Sequence, residues 1–157
     1  MKMLAEYRDA RRSEDVARLR RVLALRAMAA LGMSQRQIAQ AVGISQPAVS
    51  QQLNHAPELD GVHPEFLLDA AAPVLRTLAA EQGYFRLAVF GSVAKREARS
   101  DSDIDLVVEA PVGTSSFGFV RFKQLLEQVL GRGVDLVEYG GLKPGLDDDI
   151  VREAVLL

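Results

Sequence analysis

The chain of 157 residues contains no cysteine, which excludes disulfide bonds and any chemistry that needs a thiolate. Histidine is also scarce. Without cysteine or a His-x3-His spacing, we expect His55 and His63 to be exposed polar residues and not metal ligands. No apolar run approaches the length of a membrane span, and residues 1–12 lack the apolar segment of a signal peptide. We therefore predict a cytoplasmic protein with no membrane partner.

The small net charge of −2 hides an uneven distribution of charge along the chain. Residues 1–55 contain nine Lys and Arg against four Asp and Glu, a net charge of +5, and residues 56–157 carry −7. The basic half favours a polyanionic partner, and a solvated helix face is the alternative interpretation. We expect the two halves to face different partners.

The basic half is predicted to form three helices. Apolar residues at three- and four-residue spacing predict an amphipathic helix over Glu14–Leu31. Ser34 is positioned to cap a second helix through Ala41, and Ser45 to cap a third helix through Leu53. With Gly43 permitting the tight turn between the last two, this is the pattern of a helix-turn-helix.

The segment Ser34–Leu53 resembles bacterial repressor and Cro-like DNA-binding domains. The third helix is then the recognition helix, and a three-helix module that docks another protein is the alternative. The candidate DNA-binding side chains are Gln46, Ser50 and Gln51 for base edges, with Arg36 and Arg26 for phosphates.

A linker follows, because Pro57, Gly61 and Pro64 interrupt the helical pattern. A short helix over 66–71 comes next, and Pro73 is predicted to begin a new helix, since proline cannot continue one without a kink. The predicted organisation is a helix-turn-helix domain over 1–56, a linker and short helix over 57–72, and a second domain over 73–157.

The acidic half contains two aspartates that follow a Gly-Ser pair at a distinctive spacing. Two apolar runs, 87–90 and 106–108, predict short buried strands. Gly91-Ser92 then lies where the first strand ends, and Asp103 and Asp105 belong to the second strand, with ten residues between Ser92 and Asp103. Because side chains alternate along a strand, both carboxylates are expected on one face.

Paired carboxylates repel each other, and their oxygen atoms favour Mg²⁺ as the neutralising cation. Magnesium in turn implies phosphate, which Gly91 lets the backbone approach and to which Ser92 can donate. Asp135 lies on a further predicted strand and can join Asp103 and Asp105. Three carboxylates can hold two divalent ions roughly 3.5–4 Å apart, which is typical of phosphoryl or nucleotidyl transfer.

These residues resemble the nucleotidyltransferase fold shared with DNA polymerase beta and kanamycin nucleotidyltransferase. The stretch from Phe90 to Val108 is most similar to the minimal nucleotidyltransferases, MNT antitoxins that partner HEPN toxins, and the similarity covers about residues 73–157. One departure is Arg96, where that family commonly has glycine. We therefore expect the loop between Ser92 and Asp103 to be placed differently here.

The resemblance implies an α+β protein, an all-α helix-turn-helix domain followed by a small α/β nucleotidyltransferase with a mixed sheet. It implies transfer of AMP from ATP, with Mg²⁺, to a tyrosine hydroxyl of a HEPN RNase toxin. It also implies binding to operator DNA to repress the shared operon, as an oligomer with the toxin. The alternatives are a transcription regulator with a non-catalytic nucleotidyltransferase fold and a transferase for a small molecule such as an aminoglycoside.

Two further segments of the acidic half are predicted to be helices. A helix is predicted over 117–130 and ends at Gly131 and Gly133, with Phe117, Phe119 and Phe122 in its core. Asp147–Asp149 is assigned to the first turn of a last helix, through Leu157, where acids complement the helix dipole. A metal site at these three acids is the alternative.

Overall fold

The computed structural model describes residues 1–54 and 59–157, so the predicted linker residues His55 and Pro57 lie outside the described part of the chain. The helices are α1 (Lys2–Ala30), α2 (Gln35–Val42), α3 (Gln46–Asn54), α4 (Pro64–Glu81), α5 (Gly91–Ala94), α6 (Ser116–Leu130) and α7 (Asp148–Glu153). The strands are β1 (Phe85–Phe90), β2 (Ile104–Glu109), β3 (Val134–Glu138) and β4 (Val155–Leu156). Among these helices, none combines the length and apolarity required to cross a membrane.

Helices α2 and α3 form the predicted helix-turn-helix. Ser34 Oγ accepts from the Gln37 amide at 3.1 Å, and Gln37 Oε1 accepts from the Ser34 amide at 2.8 Å. This reciprocal capping box begins α2, and Gly43 ends it in the left-handed conformation, with φ of 76°. Ile38 and Val49 are fully buried against Leu25 of α1, which makes a small core of its own.

Four strands form a mixed sheet in the order β3-β2-β1-β4. The pairs β1/β2 and β1/β4 are antiparallel, whereas β2/β3 is parallel. This confirms the predicted fold class. One face of the sheet packs on α4 and α6 through buried residues that include Leu87, Val89, Ile104, Leu106 and Leu136. Asp105 and Asp135 alternate with these apolar residues, so they lie on the opposite face.

The prediction that Pro73 begins a new helix is wrong, because α4 runs without a break from Pro64 to Glu81. Proline has no N–H to donate to the carbonyl of Asp69, four residues earlier. In the fold, Arg20 of α1 donates from Nη2 to the Asp69 carbonyl at 3.3 Å and from Nε to the Ala70 carbonyl at 2.9 Å. A side chain from another helix thus supplies donors where proline supplies none.

Helix α1 is longer than predicted and packs on both halves of the protein. It begins at Lys2, and its Leu19, Leu23 and Ala27 belong to the main core together with the sheet, α4 and α6. The expectation that Arg26 suits phosphates is wrong. Arg26 donates to the carbonyls of Val129 and Gln128 at 2.9 and 2.7 Å at the end of α6, and burial lowers its pKa.

The predicted C-terminal helix is correct at its start and wrong at its end. Asp148 and Asp149 lie in the first turn of α7, but the helix stops at Glu153. The last residues form β4, which pairs with the open edge of β1, and the Leu157 amide donates to the Leu87 carbonyl at 3.1 Å. An unpaired strand edge therefore outweighs the local helical pattern.

The prediction that three phenylalanines of α6 lie in the core is correct only in part. Phe122 is buried, with 3% exposure, and Phe119 packs against the main core. Phe117 is 88% exposed, so it is not part of the core.

Candidate active site

The Gly-Ser turn and the Asp-x-Asp segment meet directly in the structure. Phe90, the last residue of β1, is the register partner of Asp105 on β2, and Gly91 begins the short helix α5. Gly91 has a φ of 69°, and a Cβ atom on it would lie 2.2 Å from Asp105 Oδ2. Both the backbone conformation and the close carboxylate require glycine here.

The three predicted carboxylates lie on neighbouring positions of the sheet. Asp105 is the register partner of Asp135 across the parallel β2/β3 pair, and Asp103 lies just before β2. Asp105 is partly buried, while Asp103 and Asp135 are exposed. Burial raises the pKa of Asp105, and the negative charges of Asp135 and then Asp103 raise it further.

The chemistry of these donors, which are all carboxylates, suits a hard divalent cation. Within residues 1–54 and 59–157, no three His, Asp or Glu side chains converge as a group that could hold a metal ion. The charges of Asp135 and Asp103 nevertheless act on Asp105, whose pKa they raise in addition to burial. A cation relieves the repulsion between these charges, and an all-oxygen donor set favours Mg²⁺. Because Asp103 and Asp135 are exposed, a cation can reach them without disturbing the core.

Arg96 lies in the loop between the serine and the aspartates, in the left-handed conformation with φ of 58°. Glycine adopts this conformation without strain, so the loop follows a path that glycine would also allow. The guanidinium donates to both carboxylate oxygens of Asp69, at 3.1 and 3.3 Å. This bidentate contact also raises the pKa of Arg96.

Sequence reasoning missed Gly133 as a site residue and assigned it only to the end of α6. A Cβ atom on Gly133 would lie 2.7 Å from Asp103 Oδ1, so this glycine makes room for the carboxylate. The available signal was a glycine directly before the strand that carries Asp135. Spacing within the chain does not reveal that Gly133 and Asp103 touch.

The predicted DNA-binding side chains lie on α2 and on α3, the helix that was predicted to be the recognition helix. Gln46 and Gln51 are exposed on α3, Ser50 is partly buried, and Arg36 is exposed on α2. Gln46 Nε2 donates to Gln35 Oε1 at 2.6 Å, which joins the first turns of α2 and α3. Asn54 Nδ2 donates to Ser50 Oγ at 3.1 Å. Gln35 and Asn54 are thus polar residues of this surface that sequence reasoning missed.

The four-stranded mixed sheet, with the Gly-Ser turn at the end of β1, is the architecture of a small nucleotidyltransferase domain. The chain belongs to the nucleotidyltransferase domain family, whose model matches residues 74–157. A homeodomain-like domain model matches residues 15–62, in agreement with the helix-turn-helix.

Two curated relatives match the catalytic half. The first, from Methanocaldococcus jannaschii and provisionally named a protein adenylyltransferase, is 44% identical over 75 residues, which cover 48% of this chain and 81% of the relative. The protein adenylyltransferase MntA of Thermococcus cleftensis is 38% identical over 73 residues, which cover 46% of this chain and 74% of the relative. A solved structure provisionally described as a minimal nucleotidyltransferase is 42% identical with a TM-score of 0.54, over 59% of this chain and 95% of that one.

Proposed function

We propose that this protein is a Mg²⁺-dependent protein adenylyltransferase that acts as the antitoxin of a HEPN RNase toxin. The observation that carries the proposal is the contact of Gly91 with the Asp105 carboxylate, in register with Asp135 on the next strand. This arrangement brings the Gly-Ser turn close to Asp105 and Asp135, with Asp103 just before β2, which supports a site for a nucleotide and a cation. The names of the relatives from M. jannaschii and T. cleftensis support protein adenylyl transfer.

The proposed reaction joins a protein hydroxyl to the α-phosphorus of ATP and releases pyrophosphate. Ser92 donates its hydroxyl to a phosphate oxygen, and Gly91 lets the backbone approach the nucleotide. Asp135 orients the incoming hydroxyl and accepts its proton as the new P–O bond forms. Asp103 and Asp105 would hold Mg²⁺, with Asp135 completing the set, and the bound ion would stabilise the charge that develops on the phosphate oxygens.

The proposed acceptor is a tyrosine hydroxyl of the toxin. The added AMP would block the RNase activity of the toxin. Residues 56–157 carry a net charge of −7, which suits a basic partner surface. Electrostatic complementarity of this kind raises the association rate more than the affinity. Both proposed macromolecular partners, an RNase and an operator, place this activity in the cytoplasm.

The helix-turn-helix is proposed to repress the operon that encodes the protein and its toxin. Gln46, Gln51 and Arg36 are exposed on α2 and α3, and residues 1–55 carry a net charge of +5. Operators are commonly read by two recognition helices about one helical turn of DNA apart. We therefore infer that an oligomer with the toxin presents two copies of α3.

The catalytic proposal is tested with the full chain, Mg²⁺, a purified HEPN-type partner and ATP labelled on the α-phosphate. We expect Asp103→Ala and Asp105→Ala to reduce labelling of the partner by several orders of magnitude, since the charge stabilisation of the transition state is lost. ATP labelled on the γ-phosphate should leave the partner unlabelled, because pyrophosphate departs.

Asp101→Ala is the matched control, since it removes an exposed aspartate from the same loop. It should label the partner as the wild type does. Undiminished labelling by Asp103→Ala would refute the catalytic assignment.

A further inference from the structure

We propose that Arg132 and Gly133 are positioning residues for Asp103, and that Arg132 ties the position of Asp103 to the segment that leads from the DNA-binding helices into α4. The inference rests on the proposed function, because it assigns a role in holding a nucleotide-bound cation. Neither residue has a carboxylate that could bind the cation, so both would act through Asp103.

Gly133 provides the space that the Asp103 carboxylate occupies. A Cβ atom on Gly133 would lie 2.7 Å from Asp103 Oδ1, a distance too short for a carbon and an oxygen atom that are not bonded. It would also lie 3.3 Å from Asp103 Cγ, which is a tight contact between carbon atoms. The φ of Gly133 lies outside the left-handed region, so alanine can adopt the same backbone conformation. Gly133→Ala therefore displaces the Asp103 side chain and leaves the backbone conformation accessible.

Arg132 holds the turn that leads into Asp103. Its Nη1 donates to the carbonyls of Ser100 and Ser102, at 2.7 and 2.9 Å. The turn is closed by the Arg99 amide, which donates to Ser102 Oγ at 2.8 Å. Because a guanidinium is planar and its donors are fixed in a fork, the two carbonyls are held at a set separation. The backbone that leads into Asp103 is thus held by a residue of the turn between α6 and β3.

The same guanidinium reaches back to the segment before α4. Arg132 Nη2 donates to the Val62 carbonyl at 2.8 Å. The next residue, His63, is the N-cap of α4, and its Nε2 lies 3.1 Å from the Ala98 carbonyl in the loop before Asp103. The Val62 carbonyl therefore contacts Arg132, and His63 contacts the loop between Ser92 and Asp103. A shift of this segment relative to β3 would move the loop that carries Asp103.

The test measures binding of Mn²⁺, in the presence of ATP, to the full chain by electron paramagnetic resonance. We expect Gly133→Ala and Arg132→Gln to weaken Mn²⁺ binding by about 10–100-fold, as is typical when groups that orient metal ligands are removed. Arg132→Lys should recover part of the affinity, because an ammonium can reach one of the carbonyls. Arg76→Gln, which removes an exposed arginine from α4, is the charge-matched control and should bind as the wild type does.

Two further readouts separate positioning from general loss of structure. Melting temperatures without metal should stay close to the wild type for Gly133→Ala. With the partner and labelled ATP, kcat should decrease strongly while KM changes little, since Asp103 is present but misplaced.

The outcomes distinguish this inference from the proposed function. Wild-type binding of Mn²⁺ that is lost in Asp103→Asn but unchanged in Gly133→Ala and Arg132→Gln would overturn the positioning role alone. Failure of the wild type to bind Mn²⁺ with ATP, or full binding by Asp103→Asn, would overturn the proposed function and this inference with it. If Gly133→Ala melts well below the wild type, the positioning role is decided by Mn²⁺ binding to Arg132→Gln and Arg132→Lys. Weaker binding by Arg132→Gln with partial recovery in Arg132→Lys supports the role, and unchanged binding by Arg132→Gln overturns it.

Discussion

Asp105 shows how the candidate site conflicts with the stability of the fold. It is partly buried on β2, faces Asp135 and follows Asp103 by two residues, and burial together with both charges raises its pKa. A carboxyl whose pKa is higher in the folded than in the unfolded state binds more protons when folded. The contribution of Asp105 to the free energy of unfolding therefore falls as the pH rises through its raised pKa.

We predict that Asp105→Asn raises the melting temperature at neutral pH in the presence of EDTA, while it removes transfer activity. The amide keeps the shape of the side chain and removes the unfavourable charge. Each kcal/mol gained should raise the melting temperature by about 2–4 °C in a chain of this size. The difference between variant and wild type should shrink as the pH falls, because Asp105 then becomes protonated.

The control for this prediction is Asp101→Asn, which alters an exposed charge in the preceding loop and should leave the melting temperature nearly unchanged. A melting temperature of Asp105→Asn at or below that of the wild type would contradict the argument from charge.

Helix α4 illustrates how a local sequence signal is overridden by a neighbouring element. Pro73 lies inside the helix, and Arg20 of α1 donates to the Asp69 and Ala70 carbonyls near the missing hydrogen bond. Asp69 also uses its carboxylate to pair with Arg12 of α1 and with Arg96 of the catalytic loop. One turn of α4 thus connects α1 with the loop that leads to the aspartates.

We predict that Arg20→Gln and Pro73→Ala are energetically coupled. In the wild-type background, Arg20→Gln should lower the free energy of unfolding by about 1–3 kcal/mol, because two partly buried carbonyls lose a charged donor. In the Pro73→Ala background the loss should be smaller, since alanine supplies an N–H to the Asp69 carbonyl. A double-mutant cycle by urea unfolding measures the coupling. Equal losses in the two backgrounds would show that Arg20 does not compensate for the proline.

The two halves of the protein share α1, which affects how they can be separated. Leu25 of α1 packs in the core of the helix-turn-helix, while Leu19, Leu23 and Ala27 pack in the main core with α4, α6 and the sheet. Arg26 adds two hydrogen bonds to the end of α6. The boundary predicted near residues 57–72 stays a prediction, but a cut there removes α1 from the catalytic half.

We predict that fragment 62–157 unfolds at a lower urea concentration than fragment 14–157, which retains the packed part of α1. Residues 1–13 are exposed, so fragment 14–157 should resemble the full chain. Only chains that contain α1–α3 should shift promoter DNA, with an affinity that falls as salt rises. Specific promoter binding by fragment 62–157 would contradict the proposed division of functions, and equal stability of the two fragments would contradict the role of α1.

Much of this protein follows from local patterns in its sequence. Capping by Ser34, the turn at Gly43 and alternating apolar residues depend on neighbours in the chain, so both the helix-turn-helix and the central strands were predictable. The spacing of Gly91-Ser92 and Asp105 was also sufficient to predict that the turn lies beside the Asp105 carboxylate, because a strand alternates its faces regularly.

Other features arose only from packing between distant parts of the chain. Pro73 continues a helix because Arg20, 53 residues away along the chain, donates to its Asp69 and Ala70 carbonyls. The last residues form a strand because β1 has an open edge, and Gly133 serves Asp103 because β2 and β3 are neighbours. Such contacts leave no periodic trace in the sequence, since each depends on which surfaces meet once the elements have formed.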